Sequence, residues 1–96
     1  MPAVTRIGDA DVSHCSGMKR ATGSGNVFVN RIPVSRQSDV NTSHKKPAPV
    51  CPSHAQPIAK GSSTVFINSL GCGRIGDAIS GCTNVAAGSP NVFAGG

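Results

Sequence analysis

The fifth residue after Asp9 is His14, the fifth after Asp39 is His44, and the fifth after Asp77 is Cys82. Each of these side chains can hold a transition metal, through an imidazole nitrogen or a thiolate. A fourth ligand is at hand in the Pro-rich insert between residues 45 and 57, where His54 follows Cys51 in a C-x-x-H spacing. Three imidazoles and one thiolate form the tetrahedral set that zinc takes in a closed site. With every position filled by protein, no water is left for the metal to activate, so the chemistry is structural rather than hydrolytic. The expected ligands are therefore His14, His44, His54 and Cys82. Cys51 and Cys15 stand beside them as possible replacements, and Cys72 lies outside the register. Ligand type alone leaves iron open beside zinc.

Nucleophilic catalysis is the competing chemistry. Cys51 with His54, or His14 with Asp11, could be imagined as reactive pairs. Three residues apart on an irregular loop does not orient either pair, and no oxyanion donors or phosphate-binding loop accompany them. The sequence points away from an enzyme and from a small-molecule substrate.

The elements that position these ligands are repeats. RIGD at 6–9, RQSD at 36–39 and RIGD at 74–77 open three units, and GSGNVFVN at 23–30, GSSTVFIN at 61–68 and GSPNVFAG at 88–95 close them. The units run over about 3–32, 33–70 and 71–96 of one domain. Each closing block is a Gly-Ser turn followed by a β-favouring run: 27–29, 65–67 and 92–94. Tight turns are expected at Asn30-Arg31 and at Asn68-Ser69, and Gly8 and Gly76 read as turn residues. No apolar period of helical length occurs, so the fold is mainly β with few or no helices. A unit this small cannot stand alone, and its neighbours must supply the packing. If a pseudo-threefold axis relates the units, the three register positions converge on it.

Bulk composition says why a staple is needed. The chain has 96 residues, 38% of them hydrophobic, with three Phe and neither Trp nor Tyr. Such a chain buries little core and calls for a metal, a disulfide or a partner. Four cysteines would allow two disulfides, but the N-terminal stretch is not an export signal and no run is long enough to span a membrane. The expectation is synthesis in the cytoplasm without a signal peptide, with metal and partner ahead of disulfides. The formal charge of +5 raises nucleic acid as a partner, yet only Lys19-Arg20 and Lys45-Lys46 are adjacent, and no Tyr or Trp is present to stack on bases. Scattered basic residues suit a solvated surface. A small free-standing zinc module that binds an acidic partner or nucleic acid is the alternative reading.

These repeats resemble the PAAR-repeat proteins, the tips of contractile tail spikes in phages and type VI secretion systems. The stretches that correspond to the family's Pro-Ala-Ala-Arg segment are AVTR at 3–6, PVSR at 33–36 and GCGR at 71–74, each leading into an opening block. The His or Cys five residues on and the VF closings also match, over essentially the whole chain. The resemblance implies a small cone of short β-hairpins with pseudo-threefold symmetry, holding zinc near its apex through three histidines and one cysteine. It also implies that the broad base caps a trimeric β-helical spike, VgrG-like or of a phage tail, and meets a target membrane transiently. Exposed strand edges need covering, and three near-equivalent faces suit a symmetric platform. Docking is therefore expected through the VF runs, with Phe28, Phe66 and Phe93. A chain that stops directly after its third closing block reads as a bare tip.

Overall fold

A computed structural model describes residues 1–13, 17–42, 44–45 and 53–96, with only the backbone for 44–45 and 53–54. Its strands are β1 (Phe28–Val29), β2 (Ile32–Pro33), β3 (His44–Lys45), β4 (Ser53–His54), β5 (Phe66–Ile67) and β6 (Leu70–Gly71). They pair as three antiparallel hairpins, β1 with β2, β3 with β4, and β5 with β6. The described residues contain no helix, as the absence of a helical period predicts.

The first and last hairpins turn where the sequence places them. Asn30 and Arg31 lie at φ 55° and 67°, and Asn68 and Ser69 at 54° and 69°. Positive φ at both central residues is the type I′ turn, whose twist matches that of the flanking strands. The third VF run departs from expectation. It forms no strand, and Phe93 makes a single bridge to Ala3, with Ala94 N–H donating to the Pro2 carbonyl at 3.0 Å. The third corner is thus split between sequence-distant segments, 2–3 and 93–94, rather than built on one continuous turn.

The opening blocks are turns locked by their own ends. In each, the Asp N–H donates to the Arg carbonyl, Asp9 to Arg6 at 3.0 Å, Asp39 to Arg36 at 2.9 Å and Asp77 to Arg74 at 3.1 Å. The Asp carboxylate accepts in return from the Arg backbone N–H and in a fork from its guanidinium. The third turn residue needs positive φ, and Gly8 (89°) and Gly76 (91°) adopt it freely, whereas Ser38 is held there at 75°.

Three such units close on one another around an axis. Thr5 N–H donates to the Gly73 carbonyl, Gly73 N–H to Ser35 and Ser35 N–H to Thr5, at 3.0, 3.0 and 3.1 Å, making a closed ring of backbone hydrogen bonds. A second ring ties the corners. Ser24 Oγ donates to Asn68 Oδ1, Ser89 Oγ to Asn30 Oδ1 and Ser62 Oγ to the Gly95 carbonyl, which stands in for an asparagine side chain at the split corner. Each of these serines also caps the N–H groups of its own closing block. On one side of the backbone ring lie Val4, Val34, Cys72 and Ala94, and a second apolar cluster of Ile58, Ile79 and Val85 packs against Cys82.

Candidate metal centre

Past each opening turn the chain runs through a buried residue, Asp11, Asn41 or Ile79, toward its register position. These three segments are laced into another ring. Asp11 bridges Val85, Arg20 bridges Asn41, and Ile58 bridges Ile79. Val12 N–H donates to the Asn84 carbonyl at 2.8 Å, Thr42 N–H to Lys19 at 2.8 Å, and Ser80 N–H to Pro57 at 2.9 Å. The segments leading to positions 14, 44 and 82 are therefore neighbours, as a pseudo-threefold arrangement requires.

His44 and His54 are brought together directly, as cross-strand partners in the β3–β4 pair. The base of that hairpin is closed by Asn41, whose N–H donates to the Gln56 carbonyl at 3.2 Å and whose Oδ1 accepts the Gln56 N–H at 2.9 Å. Cys82 ends a tight turn in which its N–H donates to the Ile79 carbonyl at 2.9 Å and Gly81 takes φ 62°. The turn lies against the hairpin base, with Asn41 Nδ2 4.0 Å from Cys82 Sγ. His14, Cys15 and Cys51 lie outside the described residues. Asp11 N–H donates to the Met18 carbonyl at 3.2 Å, joining described residues on either side of position 14.

Among the described residues no three His, Cys, Asp or Glu side chains gather into a metal-holding group. The imidazoles of all three histidines lie outside that set, so the fit of a metal is judged on backbone placement and on Cys82. Two histidine positions face each other across one ladder, with the Cys82 thiol near the foot of the same hairpin, and imidazole and thiolate are donor types that zinc accepts.

The two described thiols differ in setting. Cys72 occupies the place that Val4 and Val34 hold in the other units, and is buried with them. Burial pushes its pKa up to about 11. Cys82 is half-buried. Desolvation raises its pKa, and the hydrogen bond from Asn41 works against that rise.

Arg20, which the sequence marks only as half of an adjacent basic pair, is fully buried, with its Nη2 on Asp11 Oδ2 at 3.0 Å and its Nη1 on the Asp39 carbonyl at 3.2 Å. In the other units Ile58 and Val85 hold the equivalent place, each likewise buried and bonded to the opening turn. A polar layer of Arg20, Asp11 and Asn41 therefore replaces half of an apolar one. The sequence carries a signal for it, because Asp11, Asn41 and Ile79 all lie two residues past the opening Asp.

All four acidic residues, Asp9, Asp11, Asp39 and Asp77, are paired with arginines. The Phe side chains of the three VF runs are half-exposed, Phe28 at 54%, Phe66 at 58% and Phe93 at 50%. They occupy equivalent corners, each opposite the residue that begins the next opening stretch: Pro33, Gly71 and Ala3. Among the described residues no helix is long and apolar enough to cross a membrane.

A protein-family model described as the PAAR motif matches residues 9–83. No match was found among curated proteins.

Proposed function

Because the chain belongs to the PAAR-motif family, whose members serve as spike tips of contractile injection machines, we propose that it is a zinc-stabilised cap on a trimeric β-helical spike. In this reading it sharpens the spike for passage through a membrane. The family is a structural one, and the chain's own geometry supports a mechanical part. The observation that carries the reading is the closed threefold recurrence: one ring of backbone bonds, one ring of Ser-to-corner bonds, and three half-exposed phenylalanines at equivalent corners. A surface with three near-equivalent faces can meet three identical chains with the same contacts each time.

His14, His44, His54 and Cys82 would hold the zinc. When bound, the metal would cross-link the three segments that carry its ligands. The chain's own residues prepare this. The Asn41–Gln56 bonds close the hairpin base, and the Asp11–Met18 bond ties together the segments on either side of position 14. Phe28, Phe66 and Phe93 would dock on the spike, a VgrG-like or phage tail protein, leaving the metal end to meet the target membrane transiently. The machine would be a phage tail or a secretion spike, reached after synthesis in the cytoplasm.

Two measurements test the reading. Elemental analysis of the purified protein is expected to find one zinc per chain, with a marked fall in Tm on chelation; no metal and an unchanged Tm would remove the site. Mixing with a trimeric spike is expected to give one chain per trimer, and the Phe28→Asp, Phe66→Asp and Phe93→Asp triple variant to abolish capture. Capture that survives this variant would move the docking surface away from the VF corners.

A further inference from the structure

Asn41 has no counterpart in the third unit, where Ile79 takes its place, so the repeat itself does not demand an amide here. It is nevertheless buried, with 1% of its surface exposed. Its Oδ1 is satisfied by the Gln56 N–H at 2.9 Å. Its amino group is not placed against oxygen. Among the described residues it faces two sulfurs, Met18 Sδ at 3.4 Å and Cys82 Sγ at 4.0 Å. A thioether and a neutral thiol are weak acceptors, and a buried N–H that lacks a good acceptor is costly. An amide is therefore a poor choice at this position unless one of the sulfurs carries charge. A metal-bound thiolate does, and hydrogen bonds to an ionised acceptor are roughly twice as strong as those between neutral groups.

We propose that Asn41 is a positioning residue of the metal site, whose amide N–H donates to the Cys82 sulfur while its carbonyl oxygen clamps the base of the His44–His54 hairpin. The proposal rests on the zinc reading above. One side chain then spans the thiolate and the arm that carries two of the other ligands. Closing the hairpin through Oδ1 aims Nδ2 at the sulfur, and a charged sulfur holds the amide in the orientation that closes the hairpin. Outer contacts of this kind orient metal ligands, and losing one typically weakens metal affinity about 10–100-fold.

A direct test uses the full chain loaded with cadmium-113 and labelled with nitrogen-15 at asparagine side chains. A scalar coupling between the metal and an Asn41 amide proton, carried through the Cys82 sulfur, is expected. Its absence while the chain is loaded and folded would overturn the proposal without recourse to any variant. A second arm compares zinc affinity in Asn41→Leu, and in Asn41→Ala should the leucine variant not fold. A loss of about 10–100-fold is expected in the parent chain, and a clearly smaller one, that of the hairpin clamp alone, in the Cys82→His background, where the sulfur is gone. The cobalt-loaded Asn41 variant should also move its thiolate-to-metal charge-transfer band to lower energy, because the sulfur loses a donor. Equal losses in both backgrounds with an unmoved band would make Asn41 a hairpin tie only. A parent chain that takes up no metal, or shows no thiolate band with cobalt, would instead overturn the zinc reading and this proposal with it.

Discussion

At the scale of single residues, the chain uses its thiols in two different ways. Cys72 serves as a small apolar side chain in a site that valine fills twice over. Its folded pKa of about 11 lies above the value of about 9.0 for a free thiol. The unfolded chain therefore ionises first as pH rises, and stability is drawn off between pH about 9 and about 11, by roughly 3 kcal/mol at most. Below that window the contribution is intact. Replacing Cys72 with valine is expected to flatten this alkaline limb in urea unfolding measured against pH, with little change near neutrality. An unchanged limb would assign the loss to another group. On the proposed zinc reading, Cys82→Ala is expected to lower zinc content and Tm together, because metal binding and folding are coupled. Full zinc stoichiometry in that variant would exclude Cys82 as a ligand.

At the scale of elements, three opening turns of one design carry two glycines and one serine at the same left-handed position. The Arg–Asp forks close all three turns, so Ser38 is held at φ 75° by its neighbours rather than by its own preference. A non-glycine residue in that region costs about 1–2 kcal/mol, partly offset by the greater freedom that glycine has in the unfolded chain. Ser38→Gly is accordingly expected to stabilise the protein by about 1 kcal/mol, read as a higher urea midpoint at constant slope. A lower midpoint would mean that the serine side chain makes a contribution larger than the strain it brings.

At the scale of the whole molecule, closure of the ring is what turns three weak hairpins into one body. Gly73 sits where the ring is tightest: a Cβ there would lie 2.5 Å from the Ser35 carbonyl oxygen and 2.9 Å from both Ile58 and Thr5 side-chain atoms. Gly73→Ala must push backbone apart, and a loss of about 2–3 kcal/mol is expected by chemical denaturation. A variant as stable as the parent would show that the ring can open without cost. The split third corner makes a second forecast. Phe93 and Ala3 pair across the chain ends, and Gly95 lies against Met1. A short link between the ends, with new ends opened at the Asn30-Arg31 turn, is expected to give a folded circular permutant of near-parental Tm. Failure to fold would show that the first hairpin must form before the rest.

Much of this protein is local, and the local parts are legible in the chain. The opening turns, the type I′ turns at Asn30-Arg31 and Asn68-Ser69, the lack of helix among the described residues and the triple repeat each depend on residues a few positions apart, whose φ preferences and short-range bonds act wherever the chain goes. Asp11, Asn41 and Ile79, two residues past each opening Asp, are all buried, so the register set by the equal turns holds over the described part of each segment. Other features required the three units to meet. Whether a buried place holds Ile58 and Val85 or the Arg20–Asp11 pair depends on what faces it from the next unit, and a guanidinium enters the interior only where a carboxylate and a carbonyl converge on it from different segments. The pairing of Phe93 with Ala3, and the closeness of Asn41 to Cys82, are likewise set by long-range closure. Sequence spacing does not encode such contacts, because their partners lie far apart along the chain and meet only when the ring closes.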